Sequence, residues 1–140
     1  MNMSLLWFLP VFVLLYMIFW FFASLIFKRH DIIDVAWGAG FVLLAWISLG
    51  FRDLNYDTRS VWLLFAVSLW GLRLFFHTFR RNLSKEEDWR YHRWSEGDVC
   101  LHPLCLFFKV FLLQGALMMI IALPVVYGLR LISLPLFDIN

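Results

Sequence analysis

Arg73 lies well inside the third of four membrane-length apolar runs. A guanidinium at that depth is expensive to hold in hydrocarbon and is normally kept for a partner, a water-filled cavity or a substrate path. Asp34, Lys109 and Gln114 also sit within apolar runs, and His77 lies closer to the end of its run. Charges from distant parts of the chain at a similar depth suggest a shared polar pocket opening to the cytoplasm, with Gln114 deeper, near mid-span. Just after the third run comes a polar, aromatic stretch, Arg80-Arg81-Asn82-Leu83-Ser84-Lys85-Glu86-Glu87-Asp88-Trp89-Arg90-Tyr91. Together these two features argue against a passive anchor.

Helical spacing sorts these residues into faces. Trp70, Arg73, His77 and Arg80 share one face of the third run, and Asp34, Trp37 and Gly38 share one face of the second. Ala36 and Gly40 form a small-xxx-small step suited to close helix contact. An Asp34–Arg73 pair would relieve the burial cost of each charge. Other roles stand beside these. Asp31 and Asp34 fall at the first turn of the second helix, where carboxylates cap backbone donors and complement the helix dipole. Arg73 and Lys109 lie within reach of the interface and can snorkel. Gln114 is too deep for that, so it hydrogen-bonds across helices or faces a ligand.

The elements that position these groups follow from composition. The chain of 140 residues is 63% hydrophobic and 20% aromatic, with 16% charged residues. Ordinary soluble domains are roughly 45–50% apolar and about 25% charged, so too little polar surface remains to cover a soluble core. A hydrocarbon layer of about 30 Å needs roughly 20 apolar helical residues. Runs at 5–27, 32–51, 60–79 and 104–127 meet that length. They predict one all-α transmembrane domain of four helices, with a loop at 80–103. Alternating short strands are absent, which excludes a membrane barrel. Pro10 and Pro124 stand toward the outer ends of the first and fourth runs. The first run lacks a basic leader and is too long for a signal peptide.

Most basic residues flank one side. Lys28 and Arg29 sit in one connection, and Arg80, Arg81, Lys85, Arg90 and Arg93 in segment 80–103, against Arg52, Arg59 and Arg130 opposite. The positive-inside bias places both basic segments in the cytoplasm and both termini outside. A net charge of +2 without a basic motif gives no reason to expect nucleic acid. Cys100 and Cys105 flank His102 on the cytoplasmic side, where thiols stay reduced. Their spacing matches no common zinc site and supplies no fourth ligand, so no metal is expected. Segment 80–103 reads either as an interfacial amphipathic helix or as a functional rim.

In order, Asp34-Val35-Ala36-Trp37-Gly38, Trp70-Gly71-Leu72-Arg73-Leu74, Arg81-Asn82, Glu87-Asp88-Trp89-Arg90-Tyr91, Phe111-Leu112-Leu113-Gln114-Gly115 and Leu123-Pro124 resemble an uncharacterised bacterial membrane family. That family is related to steroid 5-alpha-reductase and, more distantly, to isoprenylcysteine carboxyl methyltransferase. The resemblance implies a bacterial inner-membrane protein with a multi-helix enzyme fold. Reductases of that type take a hydride from NADPH and saturate a double bond conjugated to a carbonyl. Early helices form the cavity for a lipid-like substrate, and later ones hold the cofactor. The resemblance thus points to Asp34, Trp37, Arg73, His77 and Gln114 for the cavity. It points to Arg81, Asn82, Asp88, Arg90 and Tyr91 for a cofactor rim.

The family runs considerably longer, and its later Arg-His-Pro-Asn-Tyr motif has no counterpart here. The expectation is therefore the front half of a reductase-like enzyme, from a truncated or split gene, incomplete without a second polypeptide. The alternative is a non-catalytic membrane protein that binds lipid or a partner subunit.

Overall fold

Helices that are apolar on most faces must lie in a protein core or in lipid. A computed structural model describes residues 3–51, 58–83 and 103–131. These residues are almost entirely helical and contain no strand, and four helices are long and apolar enough to cross a membrane. The all-α membrane bundle expected from the sequence is the fold. Its first three helices are α1 (Met3–Phe27), α2 (Ile33–Gly50) and α3 (Thr58–Leu83). The fourth span joins α4 (Pro103–Leu106), a π-helical segment (Phe107–Leu112) and α5 (Leu113–Leu131). A 3-10 turn, His30–Ile32, leads into α2.

α3 runs past the expected end at residue 79 and carries Arg80, Arg81 and Asn82 on the helix rather than in a loop. Arginine is a good helix former, and cations in a last turn complement the negative end of the helix dipole.

α2 is the central helix and packs against α1, α3 and α5. Lipid tails are as apolar as leucine, so close packing rather than exclusion from water must hold such helices together. The tightest approach joins α2 to α3. A Cβ built on Gly38 would lie 2.5 Å from the Phe75 backbone nitrogen, and one on Gly71 would lie 2.8 Å from the Gly38 carbonyl oxygen. Gly40, expected to make a close helix contact, instead receives the end of Met118, with Tyr16 alongside. Phe21 of α1 meets Phe107 and Phe111 edge-on at 5.2 and 5.4 Å, which seats the π segment against α1. Two polar ties cross between helices. Tyr16 donates to the Ala36 carbonyl at 2.7 Å, and Trp46 Nε1 donates to Ser68 Oγ at 3.1 Å.

Candidate functional site at the basic end of the bundle

The turn after α1 is set by one residue. Lys28 takes a left-handed conformation, φ 52°, and the Arg29 amide then donates to the Ser24 carbonyl at 3.0 Å. This is the long-range closure of a Schellman-type helix end, a place where glycine is usually found. The buried Ser24 hydroxyl donates to the Phe21 carbonyl at 2.7 Å and lies 3.3 Å from His30 Nδ1.

The turn delivers Arg29 to a buried carboxylate. Arg29 Nε and Nη2 bond the two oxygens of Asp31 at 3.1 and 2.7 Å, and Nη1 donates to the Asn82 carbonyl at 2.7 Å. Asn82 Nδ2 returns a bond to the Asp31 carbonyl at 3.1 Å. The result is a closed clamp between the α1–α2 turn and the last turn of α3. Its guanidinium sits on a terminal helix carbonyl, where positive charge is favoured, and its fork fits the carboxylate with two bonds. A second tie lies beside it, with Arg81 Nη2 at 3.5 Å from Asp34 Oδ2.

Asp34 therefore pairs with Arg81, and the expected pairing with Arg73 is not made. Among the described residues Arg73 has no ion pair. The reason is rotational. Gly71 must face α2 for the backbones to meet, and two residues further on a helix has turned about 200°. Arg73 consequently points away from α2 and is exposed, as is His77. Lys109 is exposed on the π segment.

Trp37 and Gln114 remain with the core. Trp37 is part-buried and meets Phe41 edge-on at 5.6 Å, and Phe41 in turn meets Trp70 at 5.4 Å. Gln114 is part-buried, and its neighbour Gly115 lies against Met17 and Val13 of α1. Of the rim candidates, Arg81 and Asn82 are engaged in the two ties. Asp88, Arg90 and Tyr91 lie outside the described residues.

Several residues of this end were not legible as site residues. Arg29 read only as a loop charge and Asp31 only as a cap, and nothing in the sequence singled out Ser24. The i, i+2 spacing of Arg29 and Asp31 across a helix break was the available signal. Trp20 was missed too. Its indole Nε1 is buried and makes no well-formed hydrogen bond among the described residues, although the Tyr16 hydroxyl lies beside it.

Cys105 is disulfide-bonded, where a reduced thiol was expected. No group of three His, Cys, Asp or Glu side chains converges among the described residues.

The model of a family described as a protein of unknown function, DUF1295, covers residues 20–132, which include every motif from Asp34 to Pro124. No curated protein matches the chain, and no solved structure does.

Proposed function

We propose, for a chain that belongs to the DUF1295 family, that the bundle is the lipid-binding half of a reductase-like membrane oxidoreductase. Its substrate class is a lipid-like enone or enoyl compound. The motif order within the matched residues supports the relation to reductases of the steroid 5-alpha type. The observation that carries the ligand assignment is the buried Trp20 indole N–H, which makes no well-formed hydrogen bond even though the Tyr16 hydroxyl lies beside it. A buried donor left wholly unsatisfied is destabilising by roughly 1–3 kcal/mol, and a ligand carbonyl oxygen would satisfy this one better than the poorly aligned Tyr16 hydroxyl. Such a donor is also what the chemistry needs. Saturation of the conjugated double bond pushes negative charge onto the carbonyl oxygen, and a fixed donor stabilises that charge as it develops. Gln114 and Trp37, both part-buried in the spans, are the other donors proposed for the cavity.

NADPH is the cofactor implied by the resemblance, but the described residues do not fit a dinucleotide. Arg81 is paired with Asp34, and Asn82 is held in the clamp. The reading therefore assigns the described residues to the lipid side of the reaction. Arg73 and His77 would serve the cavity only if further helices covered the outer face of α3.

A second reading, a non-catalytic protein that binds lipid or a partner, is favoured by the exposure of Arg73 and His77. Titration of the purified chain in nanodiscs with a long-chain enone and with the matching hydrocarbon separates the two. The enone should bind more tightly, and Trp20→Phe should remove about five- to tenfold of that preference, the value of one hydrogen bond. Equal loss for both ligands would make Trp20 a packing residue. Absence of enone binding would leave the second reading.

A further inference from the structure

The outer face of α3 carries a charge pattern that the proposed cavity does not use. Arg73, His77 and Arg80 recur at i, i+4 and i+7 and so form one stripe about 10 Å long. All three are exposed. Arg73 stands roughly 15 Å from the end of α3 along its axis, given 1.5 Å per residue. Ionisable residues within membrane spans almost always face a bundle interior or an aqueous cavity. Arg73 faces neither, and it has no ion pair among the described residues.

We propose that this stripe binds the phosphate of an anionic phospholipid, whose acyl chains run down the same face of α3. The polarity order on the helix matches that ligand. The cations lie toward the clamped end, and exposed Leu69, Phe65 and Trp62 follow below them. Phe76, also exposed, flanks the stripe. Arginine forks bind phosphate oxygens in pairs, and Arg73 can bend along its own helix toward the headgroup layer. An ammonium-bearing headgroup gains nothing further here, because the stripe carries no carboxylate among the described residues. A second copy of the chain is a poor occupant. The described acidic residues of this end, Asp31 and Asp34, are already paired with Arg29 and Arg81. The site lies on the opposite side of α3 from Gly71, so it stands whether or not the bundle serves a reductase.

Native mass spectrometry of the detergent-solubilised protein, titrated with phosphatidylglycerol or phosphatidylcholine, tests the assignment. Phosphatidylglycerol should bind more tightly. Arg73→Gln and Arg80→Gln should each weaken it about fivefold, and Arg73→Lys should retain part of the loss. Lys109→Gln should change nothing, because that exposed lysine lies on the π segment, which packs against α1. Circular dichroism should be the same for every variant. Three results would overturn the proposal: equal binding of the two lipids, an equal effect of Lys109→Gln, or a co-purifying polypeptide that displaces phosphatidylglycerol through Arg73.

Discussion

The carboxylate of Asp34 meets the guanidinium of Arg81 at 3.5 Å, about two helical turns beyond Arg73. Depth alone pointed Asp34 to Arg73. The choice is made by the Gly38–Gly71 contact, which fixes the rotation of α3 and sends Arg73 outward. Packing of two glycines thus decides which charges meet several residues away.

That relationship sets a coupling experiment. Asp34→Asn and Arg81→Gln should lose less together than the sum of each alone, by roughly 0.2–1 kcal/mol, the range for a pair of this exposure. Arg73→Gln combined with Asp34→Asn should be additive. Unfolding of the detergent-solubilised variants measures both cycles, and coupling of Asp34 to Arg73 would contradict the geometry.

The neighbouring clamp should matter more, because Asp31 is buried. Asp31→Asn leaves Arg29 without its counter-charge and should destabilise by about 2–3 kcal/mol. Asn82→Ala removes one side-chain bond and should lose about 1 kcal/mol. Equal and small effects, measured by the same unfolding assay, would show that the clamp is not structural.

Glycine positions should respond according to what a methyl group would meet. Gly38→Ala places a Cβ on the backbone of α3, which cannot move aside as a side chain does, and should cost about 3 kcal/mol. Gly50→Ala meets nothing within 4 Å and should be neutral or mildly stabilising. Thermal midpoints of the two variants that fell together would remove the α2–α3 contact from the account.

Lys28→Gly should stabilise the protein by about 1 kcal/mol. The left-handed conformation at this position, φ 52°, is strained for lysine and free for glycine. A lowered thermal midpoint would mean that the lysine side chain contributes more than the strain removes.

Dinucleotide binding by the chain alone should be weak and should fade with salt. Hydride transfer needs donor and acceptor held about 3–3.5 Å apart, and mostly electrostatic association with the basic segment cannot supply that. Calorimetry with NADPH at moderate salt checks this expectation. Tight, salt-resistant binding would refute the assignment of these residues to the lipid side of the reaction.

The hydrophobic runs at 5–27, 32–51, 60–79 and 104–127 made the four-helix bundle legible, because length and composition alone decide whether a helix can span lipid. Rotation about each helix axis was not legible. The motif containing Trp70, Gly71 and Arg73 named both the packing residue and the charge, but not which of them would face α2. The left-handed Lys28 and the π segment at Phe107–Leu112 also escaped, since neither leaves a compositional trace. Trp20 escaped for a different reason. Its type is ordinary for an apolar helix, and only the lack of a well-formed hydrogen bond at its buried nitrogen marks it.

The central claim is that the buried Trp20 N–H receives the carbonyl of a lipid-like ligand. Infrared difference spectroscopy of a long-chain enone labelled with carbon-13 at its carbonyl, bound to the chain in nanodiscs, reads that bond directly. The account predicts a carbonyl stretch lowered relative to the same enone in alkane. The shift should be lost in Trp20→Phe and kept in Arg73→Gln. A bound enone whose carbonyl absorbs where it does in alkane, with Trp20 intact, would contradict it.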